Sequence, residues 1–392
     1  MKAWLHIFQL EEYDPIRFLK WWFQNPFKLK LENKKPLVWT PKAKIIYSLS
    51  LGFWPLMLLV LLFLKPFEES YKIYLKQRIL SKIRYLKSRG LKVVAISGSY
   101  GKTSVKEYLY QILSQKYKTL RTPGNYNTLF GISKVIEWEL DEKYKYFICE
   151  MGSYKIGDTA EICDMVLPDY AMLTGINEQH LERFCSLENE IIGESESVEY
   201  VLARGGWVVL NFSNPHISQY YSSNLSNLNN AQVHTYGQKK YSHPRQQNVE
   251  GALTLARILG VKNLPKLLKN PIHRLSLIHR GDMTIIDDAY SSNTDGFAAA
   301  TTYLKSFKDW KVIVTPGIPE LGIATYEIHK NLGAMLDNID QVILVGKNDR
   351  TRGLADGYGK PVEYIDKVTE AISKVAKNKA VILFENDLPD NY

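Results

Sequence analysis

Gly98 to Ser104 reads G-S-Y-G-K-T-S. A β-rich apolar run, Leu91 to Ser97, precedes it, and a helical pattern follows to about Lys116. Strand, glycine loop, helix is the order a phosphate site needs. Gly98 and Gly101 let the backbone N–H groups of this loop, Ser99 and Ser104 included, turn inward around phosphates. The helix N-terminus adds its positive end. Lys102 is placed to hold the β- and γ-phosphates of ATP, and Thr103 to offer its hydroxyl to Mg²⁺. The spacing is shorter than the common G-x-x-x-x-G-K-[ST], so residues downstream must carry part of the argument.

Tyr146 to Glu150 reads as a second buried strand ending in a carboxylate, and Tyr170 to Thr174 as a third, ending near Asn177 and His180. Parallel α/β sheets place chemistry beyond the carboxyl ends of their strands. Glu150, His180 and the glycine loop are therefore expected to converge. A carboxylate, an imidazole and phosphate oxygens make a shell for Mg²⁺, although imidazole is an unusual ligand for that ion.

These residues resemble the Mur ligases, nearest to the branch that adds D-alanyl-D-alanine to the peptidoglycan precursor. The matching pieces follow in order: G-S-Y-G-K-T-S at Gly98, T-P-G-N-Y-N-T at Thr122, I-C-E-M-G at Ile148, H-L-E-R-F at His180 and S-L-E-N-E at Ser186. H-R-L at His273, D-D-A-Y-S-S-N-T-D at Asp287, P-E-L-G at Pro319 and His329 complete the series. The likeness covers Leu91 to Lys347, and ordered matches are more specific than any single motif. It implies an ATP-dependent ligase that joins a carboxylate to an amine through an acyl phosphate. Lys102 and Thr103 would then bind phosphates and Mg²⁺, with Glu150 and His180 as metal ligands. Asn125 and Asn127 would line the substrate side of the phosphate loop. Arg274 would reach the ATP phosphates, and Asp288 the ribose or phosphate region. Tyr290, Asn293 and Asp295 continue that loop on the substrate side.

The chain also departs from the family. The N-terminal domain that usually grips the uridine diphosphate end of the precursor is missing. Glu194 stands where the family has a lysine that is carbamylated in use, with Glu196 the next acidic residue. A glutamate there either supplies a carboxylate to the second metal directly or weakens that site. The usual adenine-contacting asparagine is Gly251, and Asn211 to Asn248 reads as a polar loop in place of additional sheet. The C-terminus, F-E-N-D-L-P-D-N-Y, lacks the family's glycine-serine-arginine region.

The elements that must position these groups form an α/β chain of 392 residues. A P-loop-type central domain with a parallel sheet spans 91–271. A smaller Rossmann-like domain spans 272–392, with strands at Met283 to Asp287, Lys311 to Thr315 and Gln341 to Gly346. Helices at Thr325 to Leu336 and Lys367 to Val375 alternate with these strands. Residues 1–90 come first as a helical, membrane-associated segment. They hold 17 Lys or Arg against 6 Asp or Glu, while the remainder is slightly acidic. A basic excess confined to one segment beside an apolar run suggests a lipid surface and gives no sign of nucleic acid. Ile45 to Leu64 carries no charge and has the roughly 20 residues that span a bilayer. Gly52 and Pro55 could bend it into a hairpin. Glu68 to Arg89 is a basic amphipathic helix that either lies on headgroups or packs on the catalytic domain. Cys149, Cys163 and Cys185 form no C-x-x-C pair and fit a reducing compartment.

The expected protein is thus a membrane-anchored ligase with cytoplasmic catalytic domains. Its partners would be a cell-wall precursor, an amino acid or dipeptide, membrane lipid, and a protein supplying the missing substrate grip. Two alternatives stay open: a Mur-like ligase on another acid or lipid-linked glycan, and a non-catalytic nucleotide-binding scaffold.

Overall fold

The computed structural model describes every residue except 1, 12, 25–36, 52, 125, 179–180, 225–231, 240–243, 263–267, 270, 272, 291–292, 320, 376–378 and 387–392. His180 and Asn125 therefore lie outside the described residues. The chain forms two units, one reaching to Gln77 and one from Arg78 to Asp387.

The first unit is helical: α1 (Lys2–Leu10), α2 (Pro15–Gln24), α3 (Pro41–Ser50) and the first part of α4 (Trp54–Ser88). Its core gathers Leu5, Phe8, Phe18, Ala43, Ile46, Met57 and Leu61. Phe8 and Phe18 stack with centroids 3.7 Å apart. The charge-free run does not become one helix. It breaks after Ser50, where Leu51 turns left-handed (φ 51°) and donates its N–H to Tyr47 O. The bend expected from Gly52 and Pro55 falls at this break. Only Trp54 to Leu64 of the run lies in α4 before Lys65, about 16 Å of helix against a bilayer core of ~30 Å. Among the described residues no helix is long and apolar enough to cross a membrane. The expected membrane anchor, and the membrane location drawn from it, are corrected accordingly. Of the run, Ile46, Met57 and Leu61 are spent on a protein core, while Leu49, Leu51, Phe53, Leu59, Leu62 and Phe63 stay exposed.

The basic helix is also resolved. From Arg78 onward α4 belongs to the second unit, with Ile79, Ile83 and Leu86 buried. Its cations have protein partners: Arg78 pairs with Glu137 at 2.6 Å, Lys82 donates to Ile136 O at 2.6 Å, and Lys87 pairs with Asp169 at 2.9 Å. For Arg78 to Arg89, packing on the catalytic domain is the reading found; Glu68 to Gln77 belong to the first unit. Removal of residues 1–77 is therefore expected to leave a folded fragment. Removal of residues 1–90 should lower its melting temperature sharply, since each lost buried aliphatic side chain is worth about 2–5 kcal/mol. Equal melting of the two fragments would contradict this.

The second unit carries two sheets. In the first, β1 (Lys92–Ser97), β2 (Thr119–Arg121), β3 (Tyr146–Glu150), β4 (Tyr170–Leu173), β5 (Trp207–Asn211) and β6 (Val233–Tyr236) run parallel in the order β2-β3-β1-β4-β5-β6. The connections are α5 (Lys102–Leu113), α6 (Leu129–Trp138), α7 (Asp158–Val166), α8 (Leu181–Phe184), α9 (Leu187–Leu202) and α10 (Pro215–Asn224), with α11 (Pro244–Ile258) following. Parallel strands covered on both faces read as continuous apolar runs, which is why β1 and β3 are visible in the sequence. The stretch Asn211 to Asn248, expected as loop, instead contributes α10 and β6. Strand β6 is four residues long and only half apolar, so periodicity does not reveal it; pairing with β5 defines it.

The second sheet is ordered β11-β10-β9-β12-β8-β7. It contains β7 (Ser276–Arg280), β8 (Met283–Asp288), β9 (Trp310–Thr315), β10 (Gln341–Val345), β11 (Glu363–Ile365) and β12 (Ala380–Glu385), with β7 antiparallel at the edge. Helices α12 (Thr294–Lys305), α13 (Thr325–Ala334) and α14 (Asp349–Tyr358) cover it. The segment expected as a helix at Lys367 to Val375 is a 3₁₀ turn over Val368–Lys374. Ala380–Glu385 form β12, a central strand between β9 and β8; of the C-terminal run without an expected role, only Glu385 belongs to it.

Candidate active site

Strand β1 lies between β3 and β4, so the glycine loop leaves the sheet beside Glu150 on one side and Thr174 on the other. Gly98 has φ +124°, and a Cβ there would sit 2.5 Å from Thr174 Oγ1. Only glycine fits both the conformation and the approach. The loop is held from behind by α9. Glu194 Oε2 accepts from Gly98 N at 2.7 Å, and Glu190 Oε1 accepts from Ser99 Oγ at 2.7 Å. Ser99 N donates to Gly175 O at 2.6 Å. Lys102 opens α5 and curls over the loop, donating to Gly98 O and, at 3.2 Å, to Ser99 O. Thr103 follows it in the first turn of α5, half-buried.

The expected metal residues divide. Glu150 is buried and faces Lys106 Nζ at 2.9 Å, while Asn127 Nδ2 lies 3.5 Å from its other oxygen. Glu194 is fully buried, and its Oε1 has no hydrogen-bond partner among the described residues. A buried carboxylate oxygen left unmatched is costly unless a cation or donor completes it, so Glu194 fits a metal-facing role. Among the described residues no three His, Cys, Asp or Glu side chains form a cage by themselves. Mg²⁺ bound to nucleotide needs only one or two carboxylates, the phosphates supplying the rest. Glu196, the fallback for Glu194, is spent elsewhere: it accepts from Gly157 N at 2.5 Å and Ala160 N at 2.9 Å, capping α7.

The second sheet brings its own groups to the loop. His273 and Leu275 both have left-handed backbone, φ 59° and 49°. Such strain persists where surroundings hold it: His273 Nδ1 meets Asp287 Oδ2 at 2.7 Å, and Leu275 N donates to Asp288 Oδ1 at 3.1 Å. The turn presents Arg274 beside Asp288. Burial pulls the Arg274 guanidinium below its ordinary range, with the Asp288 charge opposing. Arg274 Nε has no hydrogen-bond partner among the described residues. Asn293 caps α12 through Gly296 N and accepts from Asn177 Nδ2 at 3.1 Å; Asp295 Oδ2 accepts from the same nitrogen at 3.1 Å. Tyr290 stays exposed and stacks near His273, ring centroids 4.6 Å apart.

Between the two sheets lies a cleft of about 460 Å³, reached by Gly101, Ser104, Arg274, Asp288, Asn293 and Asp295 from the expected set, but not by Lys102, Thr103, Asn127, Glu150 or Glu194. Tyr290 does not line it. Residues not foreseen also line it, among them Tyr100, Asn214, His216, Arg245 and Asn248. Asn248 Oδ1 lies 3.0 Å from where a Gly101 Cβ would be. Gly251, one turn later, is packed against Met172 and Tyr236 and is absent from the lining. Asn248 thus faces this cleft, while Gly251 is a packing position; polar residues spaced along the start of α11 were the available signal.

Two family models match this geometry. Residues 96–262 match the Mur ligase middle domain, and residues 273–385 match the Mur ligase, glutamate ligase domain. The chain carries both Mur ligase domains. It is an ATP-dependent carbon–nitrogen ligase of the Mur type. Among curated relatives, the UDP-N-acetylmuramoyl-tripeptide–D-alanyl-D-alanine ligase of Buchnera aphidicola is 27% identical over 73% of this chain and 70% of its own length. MurF from Acinetobacter baumannii shares the fold with a TM-score of 0.69, at 23% identity, over 80% of this chain and 77% of that one. MurF ligase from Thermotoga maritima, solved in complex with ADP, gives 0.68 at 22% identity over 80% of each chain.

In the glutamate ligase domain, His329 is fully buried. Its Nε2 accepts from Ile318 N at 2.8 Å, and Nδ1 meets Thr325 O at 2.6 Å. It holds the loop after β9 in place as a neutral imidazole, burial lowering its pKa from 6.5 to about 4. With a folded pKa below the unfolded one, the unfolded chain takes up protons first. Stability is full above pH 6.5 and falls as pH drops toward 4, by about 2 kcal/mol at pH 5. Urea unfolding at pH 7.5 and 5 should show this extra loss in the wild type and not in His329→Gln. Equal pH slopes in the two proteins would contradict it.

Proposed function

We propose that the chain joins the terminal carboxylate of a UDP-N-acetylmuramoyl-tripeptide to the amine of D-alanyl-D-alanine, the reaction that its curated relatives' name describes. The observation that carries this reading is the single cleft where the phosphate loop's Gly101 and Ser104 face Arg274 and Asp288 of the second domain. A carboxylate oxygen attacks the γ-phosphorus of ATP and ADP leaves. The amine nitrogen then attacks the acyl carbon, and inorganic phosphate leaves with that oxygen.

The loop amides and the start of α5 would take the phosphate charge, and Lys102 would move from the loop carbonyls onto the transferring phosphoryl group. Arg274 would add a fixed cation from the opposite wall, and Asp288 would orient the Arg274 turn through Leu275 N. Asn125 and Asn127 would meet the acceptor, with Asn293 on the far side. Mg²⁺, held by Thr103, Glu150 and His180 as the family pattern implies and by Glu194 in place of the family's lysine, would neutralise phosphate charge when bound. Closure of the second domain, tied by Asn177 to Asn293 and Asp295, would keep water from the acyl phosphate.

The test is ADP release with ATP, the tripeptide precursor and the dipeptide, followed by product mass. Release that needs both acceptors, and a product heavier by one dipeptide less water, is expected. One observation favours a second reading, a different acid acceptor. The family matches begin at residue 96, and the described residues before 78 build a helical unit of their own. Release with another carboxylate and none with the tripeptide precursor would select it.

A further inference from the structure

Lys106 stands one turn beyond Lys102 on α5 and is fully buried. Its Nζ lies 2.9 Å from Glu150 Oε2 and donates to Gly124 O at 2.6 Å. A lysine is almost never this buried without partners, and these two belong to different parts of the site. Glu150 ends β3. Gly124 belongs to the loop Thr122–Thr128, whose ends are held by Thr122 N donating to Ile148 O at 3.0 Å and by Thr128 capping α6, with Asn127 Nδ2 3.5 Å from Glu150 Oε1. Tyr126 N donates to Pro123 O at 3.0 Å, Gly152 N donates to Asn127 O at 2.9 Å, and Glu150 N donates to Thr122 Oγ1 at 3.1 Å.

We propose that Lys106 is the positioning residue that seats the loop Thr122–Thr128 beside Glu150 and so sets where the acceptor carboxylate is held. The role of that loop rests on the ligase reading above; the tie itself does not. Lys106 reaches the loop from the same helix that starts with the phosphate lysine, so the loop's place is set relative to the phosphoryl donor. It acts through Gly124 and Glu150, without touching a reacting atom. Loss of Lys106 should therefore displace the acceptor and leave the glycine loop's own contacts with nucleotide alone.

The test is amide exchange at Tyr126 and Gly152 in the full chain without nucleotide, in wild type, Lys106→Met and Glu150→Gln. Both amides should exchange at least about tenfold faster in Lys106→Met and within about twofold of wild type in Glu150→Gln, which keeps the Gly124 bond. A Lys106→Met protein that fails to fold from its unpaired buried carboxylate is replaced by Lys106→Met/Glu150→Gln, neutral at both positions, with the same loosening expected. In turnover, the acceptor KM should rise by about tenfold in Lys106→Met while the Kd for ADP measured without Mg²⁺ stays within about twofold. Wild-type protection in either Lys106 variant would overturn the proposal. So would equal loosening in Glu150→Gln, which would assign the hold to the ion pair. The exchange readout needs no acceptor, so absence of ligase turnover in the wild type would count against the ligase reading and leave this result standing.

Discussion

Lys102→Ala is expected to lower ATP turnover by about 10³-fold or more, because it removes the cation that neutralises the transferring phosphoryl group. The fold should survive. Lys102 is half-buried at the first position of α5, and what it contributes to the free loop is a pair of hydrogen bonds onto Gly98 O and Ser99 O. Those are worth about 1 kcal/mol each, and the released carbonyls can be reached by water. The loop's own hold is unaffected, since Glu194, Glu190 and Gly175 O grip Gly98 and Ser99 directly. ADP release beside a thermal melt checks both halves. A folded variant that turns over at the wild-type rate would remove the phosphate loop from the chemistry.

Glu194→Gln should cost about 10²-fold in rate, the scale expected for a charge facing a catalytic metal. Glutamine keeps an acceptor for Gly98 N–H and so keeps the loop, while the charge at Oε1, which has no hydrogen-bond partner among the described residues, disappears. The wild type should in addition be indifferent to bicarbonate. A carbamate forms reversibly from CO₂, whereas this carboxylate is part of the side chain. Turnover in CO₂-depleted buffer, with and without added bicarbonate, makes the comparison. A wild-type rate in Glu194→Gln would take Glu194 out of the site, and bicarbonate-dependent rates would point to a carbamylated lysine elsewhere.

Local signals carried much of this structure. Gly98, Gly101 and Lys102 are legible because a tight loop between a strand and a helix imposes residue types over a few positions. Strands β1, β3 and β10 are legible because parallel strands buried on both faces are largely apolar. The rest is tertiary. Lys106 reads as an ordinary solvated lysine of a helix, and only α5 packing on β3 makes it a buried counter-ion. Asn177 meets Asn293 and Asp295 across more than a hundred residues, which no local pattern encodes. Strand β12 sits near the chain end beside polar residues, yet parallel pairing to β8 and β9 on either side makes it central. The run Ile45 to Leu64 failed as a membrane span for a related reason: composition measures how apolar a segment is and does not say whether lipid or protein covers it. Its break at Leu51 is what shortens the helix, and Ile46, Met57 and Leu61 join the core with α1 and α2 while Leu49, Leu59, Leu62 and Phe63 stay exposed.

The central claim is that ATP activates a carboxylate by phosphorylating it. The most direct measurement supplies an acceptor whose reacting carboxylate carries ¹⁸O, with ATP and the amine substrate, and reads the inorganic phosphate by mass. Transfer through an acyl phosphate should place one ¹⁸O from the carboxylate in each phosphate released. Phosphate free of label, released at the same rate with or without the acceptor, would mean that water attacks ATP and that the chain is no ligase.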